Sequence, residues 1–234
     1  MQMLEVLLGR VLPFVTLAVL VLGLIWRVRR WNRAAVANVA LYPAASNRRE
    51  LIKKVLGEVA WFSSFRQDNR ELWRSTWPFH VTLLVILIGH LRGMFAWPDR
   101  VLGLVMGPEA IDGLSKWAGG AVGIVALVTC VMLLTRRFVL PRVKEISSGE
   151  DVGVLILLLC ILMTGNWLRF FTHYDVGVSR AYFAAFFLGG EAPQDPQFLL
   201  HFFFVQLLLM YLPFGKLLHI PGVFFSKALL AKDY

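Results

Sequence analysis

The sequence predicts an all-α integral membrane fold, a bundle of five transmembrane helices, and three observations carry that prediction. Of 234 residues, 58% are apolar and 17% charged, against about 45–50% and about 25% in an ordinary soluble chain. Mean hydropathy is +0.65. The apolar residues are gathered into five runs of spanning length, and the Lys and Arg residues cluster beside those runs. Such a chain is not disordered. Its net charge of +9 flanks hydrophobic segments rather than forming a soluble basic surface, which argues against nucleic acid as a partner.

The five runs are approximately Val11 to Trp26, Phe79 to Trp97, Ala118 to Thr135, Val152 to Phe171 and Phe198 to His219. The first has a weak basic flank in Arg10 and no small-residue cleavage site, so it reads as a retained helix. With five helices in lipid, little more than half the chain remains, too little for a separate catalytic domain. A single membrane domain over 1–234 follows, with a cytoplasmic loop at 27–77. No internal repeat is visible. Cys130 and Cys160 both lie within apolar runs and read as inert packing residues.

Charge sets the orientation. The stretch from Arg27 to Trp77 holds eleven Lys and Arg, Arg136 to Lys144 four, and the tail three (Lys216, Lys227, Lys232). The opposite side holds six: Arg10, Arg92, Arg100, Lys116, Arg169 and Arg180. The positive-inside rule then puts the N-terminus outside and the C-terminus in the cytoplasm. Trp26, Trp77, Trp97, Trp117 and Trp167 fall near span ends, as interfacial anchors do. In the long loop, Leu51, Ile52, Val55, Leu56, Val59 and Phe62 recur at helical spacing against Arg48, Lys53, Lys54 and Glu58. This predicts an amphipathic cytoplasmic helix between the first two spans, lying on the inner leaflet or docking a partner.

Four of the five histidines lie in two spans: His80 and His90 in the second, His201 and His219 in the fifth. Ionisable residues in lipid are costly and point to function. Two helices each offering two imidazoles at different depths can bracket two haems with bis-His ligation. The second span runs outward and the fifth inward. His90 and His201 therefore share the outer side, His80 and His219 the inner. On straight helices the ten-residue spacing is about 15 Å and the eighteen-residue spacing about 27 Å. These offsets differ, and Pro213 can kink or end the fifth helix between its ligands. No C-x-x-C-H run exists for covalent attachment, and no H-E-x-x-H for zinc. The residues therefore predict a transmembrane dihaem b cytochrome. The rival class is a non-redox anchor or transporter subunit whose histidines bind a metal or relay protons. A transporter would show broken helices or related halves, and the sequence has neither.

The five spans and these spacings resemble the dihaem cytochrome b family of the respiratory nitrate reductase gamma subunit. The family's relatives include the membrane subunits of heterodisulfide reductase and of the sulfite-reductase-associated complex. The likeness rests also on Gly89-His90, on Ala118-Gly-Gly-Ala-Val-Gly123, on Arg136-Arg137 with Pro141-Arg142-Val143, and on Pro213-Phe-Gly-Lys-Leu-Leu-His219. His90-Leu-Arg92, the tail His219-Ile-Pro-Gly-Val-Phe-Phe-Ser226 and the long first loop tilt it toward the sulfur-metabolism branch. The resemblance implies a quinol site, for menaquinone or ubiquinone, beside the outer haem. It also implies a cytoplasmic iron–sulfur partner, heterodisulfide-reductase-like or nitrate-reductase-beta-like. The setting would be a bacterial or archaeal cytoplasmic membrane. The chain would be a subunit of a quinone-linked oxidoreductase whose terminal catalysis lies in its partners. Where the nitrate reductase subunit has a lysine before the third span, this chain has Ile111, with Lys116 out of register.

Supporting residues carry two readings each. Gly119 and Gly123 make a face for helix packing or for close approach of a porphyrin. Gly89 leaves room for a quinone ring or a haem edge. Arg136 and Arg137 close the third span on the inner side, either snorkelling or pairing with haem propionates, and Arg92 has the same choice outside. His173, with Thr172 and Asp175, is a proton acceptor in the outer loop or an ordinary solvated histidine.

Overall fold

The computed structural model describes residues 2–33, 48–172 and 174–219. Among these, all regular structure is helical. Four helices are long and apolar enough to cross a membrane: Met3–Arg33, Arg70–Met94, Pro108–Val139 and Gly149–Thr172. A fifth apolar helix, Pro196–Tyr211, is shorter, at 16 residues. At most 28% of any spanning window is buried within the chain. Leu22, Leu87, Val128 and Met163 are all exposed along the helices. Their apolar flanks are solvated by lipid or covered by other subunits.

Two starts are chemically explicit. Pro108 occupies the first turn of the third helix, where its missing N–H costs nothing. Ser148 and Asp151 form a reciprocal capping box at the fourth: Ser148 N–H donates to Asp151 Oδ2 at 2.9 Å, and Asp151 N–H to Ser148 Oγ at 3.3 Å.

The chain divides into two compact units, Met1–Val15 with Arg74–Leu208 and the described residues of Thr16–Trp73 with Leu209–Tyr234. In the first unit Phe79, Ala126, Cys130, Leu155, Leu158 and Leu162 form a core between the second, third and fourth helices. Gly120 and Gly123 let the third and fourth helices close. A side chain at Gly120 would meet the Phe170 ring at 3.1 Å, one at Gly123 would meet Asn166 Oδ1 at 2.6 Å, and Asn166 Nδ2 donates to Gly123 O at 3.2 Å. The glycine face is thus a helix-packing face.

The same unit contains a π-turn, Leu7–Val11, in the first helix, with Leu12 N–H bonded to Leu7 O. Pro13 has no N–H, so it cannot serve Gly9 O in the α register or Leu8 O in the π register. Side chains donate to both carbonyls. Gln206 Nε2 donates to Leu8 O at 3.1 Å and Tyr182 Oη to Gly9 O at 2.5 Å. Gln206 is 1% exposed and Tyr182 3%. Burial pushes the Tyr182 hydroxyl up to about 12, so it stays a donor at any physiological pH.

In the second unit Gly23 lies against Pro213, where an added Cβ would be 2.7 Å from the proline Cβ, and Trp26 lies 6.0 Å from Phe214. A helix spans Arg48–Trp61, with Ile52, Leu56 and Val59 exposed along it. Phe62 falls just past its end, at a left-handed φ of 50°, rather than on the apolar stripe. Trp73 Nε1 donates to Trp61 O at 2.8 Å, which ties the following segment back to that helix.

The fifth segment departs from expectation. It was predicted as one span from Phe198 to His219, but the helix stops at Tyr211, with Phe214 and Gly215 N–H both turning back to Tyr211 O. Pro213 cannot continue the ladder, and a short 3-10 turn, Lys216–Leu218, carries the chain to His219. The straight-helix offset of about 27 Å therefore does not apply between His201 and His219. Trp97 likewise lies beyond the second helix, in a separate turn, Trp97–Leu102.

Candidate redox site

Three of the four candidate histidines share one local feature. His80 Nδ1 lies 2.8 Å from Thr76 O, His90 Nδ1 2.7 Å from Ile86 O and His219 Nδ1 3.1 Å from Lys216 O. A carbonyl can only accept, so each Nδ1 carries the proton and Nε2 is the basic nitrogen. His201 Nδ1 instead lies 3.0 Å from the Thr164 hydroxyl on the fourth helix. An outer-shell acceptor of this kind is what orients a metal-ligating imidazole.

Within the first unit the structure brings His90 and His201 together. Their rings are 6.2 Å apart, centre to centre, with 20° between planes. Two imidazoles on opposite sides of one metal would have centres about 6 Å apart, taking about 2 Å for each metal–nitrogen bond and about 1 Å from nitrogen to ring centre. His90 is exposed and a Cβ on the neighbouring Gly89 would meet nothing within 4 Å. His80 is half-buried in the first unit, edge-on to Phe79 at 5.7 Å, and His219 is exposed in the second. Among the described residues no three His, Cys, Asp or Glu side chains converge as a metal cluster.

Arg92, two residues past His90, is drawn into an ion-pair network. Its Nε donates to Asp99 at 2.5 Å and its Nη2 to Asp112. Arg180 Nη2 reaches Asp99 at 2.7 Å and the Arg92 carbonyl at 2.9 Å. Burial pushes the Asp99 carboxyl up, but the hydrogen bonds from Arg92 and Arg180 outweigh it and hold Asp99 below the ordinary carboxylate range. Beside this network opens a cavity of about 600 Å³ lined by Arg92, Asp99, Ile111, Asp112 and the loop Gly103–Pro108. Its walls combine apolar side chains with a cation and two carboxylates.

Arg169, which sequence reading placed only in the charge count, donates to Ser115 O at 2.7 Å and packs on Gly119. At the other end of the third helix, Arg137 Nη1 donates to Ser147 Oγ at 3.0 Å and lies 3.7 Å from Asp151. Buried Nε atoms of Arg136 and Arg137 have no acceptor among the described residues, so both guanidiniums keep a donor for an anion. Cys130 is buried and Cys160 partly so, both as free thiols. His173 and the tail from Ile220 to Ser226 lie outside the described residues.

Sequence reading missed Thr164, Asp99 and Asp112 and placed Arg180 only in the charge count. Asp99, Asp112 and Arg180 come from three separate helices, Trp97–Leu102, Pro108–Val139 and Val176–Ala184, whose meeting has no local signature. Thr164 stands in an apolar run as an ordinary small residue.

The profile of the nitrate reductase gamma subunit family matches residues 58–234. The chain is 27% identical to an Hdr-like menaquinol oxidoreductase cytochrome b-like subunit of Archaeoglobus fulgidus, across 96% of this chain and 79% of that protein. It is 29% identical to the protein of the same description from Archaeoglobus profundus, across 92% and 76%. Respiratory nitrate reductase 1 gamma chain of Escherichia coli is 29% identical across 71% of this chain and 80% of that one. Long apolar helices, a histidine pair at ligand spacing and a match over most of its length agree. The chain belongs to the nitrate reductase gamma subunit family of multi-pass prokaryotic respiratory membrane proteins.

Proposed function

We propose that this chain is the membrane cytochrome b subunit of a quinol oxidoreductase complex and joins the quinone pool to a cytoplasmic iron–sulfur partner. The observation that carries the reading is the His90–His201 pair, two imidazoles with engaged Nδ1 atoms at the spacing of a shared metal. In this reading His90 and His201 hold an outer b-type haem, and His80 and His219 an inner one. When bound, the haems supply one-electron transfer. The names of the archaeal relatives favour menaquinol as the quinone and a heterodisulfide-reductase-like partner.

The chain's own work is positional. The Nδ1 acceptors fix each ring and its tautomer. Gly89 keeps the flank of His90 open. Arg136 and Arg137 offer buried donors suited to propionates at the inner end. The cavity beside Arg92 is the candidate quinol pocket, with Ile111 in its wall and Asp112 at its rim, the latter 70% exposed. The excess of Lys and Arg on one side, 18 against 6, supports a cytoplasmic C-terminus and an inner-leaflet position for Arg48–Trp61.

The test is a dithionite-reduced-minus-oxidised spectrum of the purified chain with pyridine haemochrome quantitation. Two b haems per chain are expected, and one in the His90→Ala variant together with loss of quinol oxidation. A folded chain without haem, or a His90→Ala variant retaining both, refutes the assignment and favours a non-redox anchor.

A further inference from the structure

The histidines divide by what they donate to. His80, His90 and His219 each turn Nδ1 back to a backbone carbonyl three or four residues earlier. His201 is held from another helix, by Thr164 Oγ1 at 3.0 Å with the Ile161 backbone as a second partner. That hydroxyl has a single proton, and it is engaged within its own helix: Oγ1 lies 2.8 Å from Cys160 O and 3.1 Å from Ile161 O, both acceptors only. With that proton on its own helix, the oxygen presents a lone pair to His201 and the imidazole supplies the hydrogen. The next residue completes the seat. A Cβ on Gly165 would lie 3.1 Å from His201 Cε1 and 3.5 Å from Nδ1, so the ring edge rests on the bare backbone of the fourth helix.

We propose that Thr164 and Gly165 form a seat that sets the tautomer and plane of His201, with Thr164 a positioning residue that tunes the redox centre between His201 and His90. The inference rests on the proposed haem ligation. Its physical content is that an acceptor on Nδ1–H raises the electron density of Nε2. A more basic ligand favours the oxidised, more positive iron. Removing the acceptor therefore moves that centre to higher potential and leaves the inner one unchanged. Serine keeps the hydroxyl and valine keeps only the shape.

The test compares Thr164→Val, Thr164→Ser and the wild-type chain in native membranes by haem quantitation and redox titration. Supporting results are an upward shift of one of two midpoint potentials in T164V, or loss of one haem there, with T164S like the wild type. Two haems with unchanged potentials in T164V overturn the proposal, as does T164S behaving like T164V. Gly165→Ala adds a check through ring placement, with the same single centre expected to change its low-spin EPR signature. If the wild-type chain holds no haem, the ligation reading fails. The seat is then still read by nitrogen NMR of histidine-labelled protein, where His201 should be Nδ1-protonated in the wild type and not be held so in T164V. A wild-type His201 protonated on Nε2 overturns the seat independently.

Discussion

The π-turn at Leu7–Val11 makes Tyr182→Phe a sharp test of how the first helix is held. Pro13 cannot give Gly9 O its α-helical N–H, and the Tyr182 hydroxyl donates to that carbonyl at 2.5 Å. Tyr182 is 3% exposed, so water has little access to the orphaned carbonyl when the hydroxyl is removed. Leaving a buried acceptor unmade costs about 1–3 kcal/mol, here taken as about 2. For a chain of this size that lowers the melting temperature by about 4–8 °C. The measurement is tryptophan fluorescence during thermal unfolding of the purified chain in detergent. The decisive arm is the double variant. Pro13→Ala restores an N–H beneath Gly9 O, so Tyr182→Phe in that background should cost less than about 1 kcal/mol, a coupling within the range found for shared partners. Equal costs in both backgrounds would refute the account of the π-turn as a proline-made vacancy filled by tyrosine.

Three further outcomes follow from the same geometry. Asp99→Asn should destabilise the loops around the cavity by about 2 kcal/mol, the scale of a charge-assisted hydrogen bond, seen as faster amide exchange at 103–108. Because the Asp99 carboxyl is held below its ordinary value, its contribution is full above about pH 4, the unfolded carboxylate value. It is lost as pH falls through the depressed one, so acid titration of wild type should approach D99N only below about pH 4. Replacing both Arg136 and Arg137 by Gln removes the two buried Nε donors. Haem quantitation and redox titration should show the inner centre weakened or shifted and the outer one intact, and an unchanged inner centre would count against the propionate role. Converting Leu56, 61% exposed on the Arg48–Trp61 helix, to Glu should leave haem content unchanged and increase protease cleavage in the 48–61 segment if that face rests on lipid; unaltered cleavage would point elsewhere.

The helices were legible in the sequence because hydropathy reports on the solvent, and lipid imposes one requirement on every span: an internally bonded backbone. The ends were less so. Pro213 was visible as a possible kink, yet only the structure shows that it stops the fifth helix at Tyr211. The four histidines stood out because imidazole is expensive in an apolar run. Thr164 did not, since a threonine bonding back to its own helix is compatible with lipid and leaves no trace in composition. Arg92 was read as snorkelling or binding an anion outside, and the structure gives it protein carboxylates, Asp99 and Asp112. Those partners are seven and twenty residues away, on two other helices whose convergence no periodicity encodes.

The glycines draw the same line between fold and function. Gly120, Gly123 and Gly165 each have a neighbouring side chain within 3.1 Å of where a Cβ would stand, so each is explained by what packs there. Gly89, like Gly113 and Gly153 in their own helices, has nothing within 4 Å, although glycine inside a helix costs about 1 kcal/mol relative to alanine. What sets Gly89 apart is its neighbour, one of the two imidazoles 6.2 Å apart. A bulkier residue at 89 is therefore a probe of what enters that space: Gly89→Leu should preserve the fold, which has room for it, and impair whatever binds beside His90. Wild-type thermal stability with reduced haem content or quinol oxidation is the expected result. Wild-type haem content and quinol oxidation together would show that the open flank serves neither.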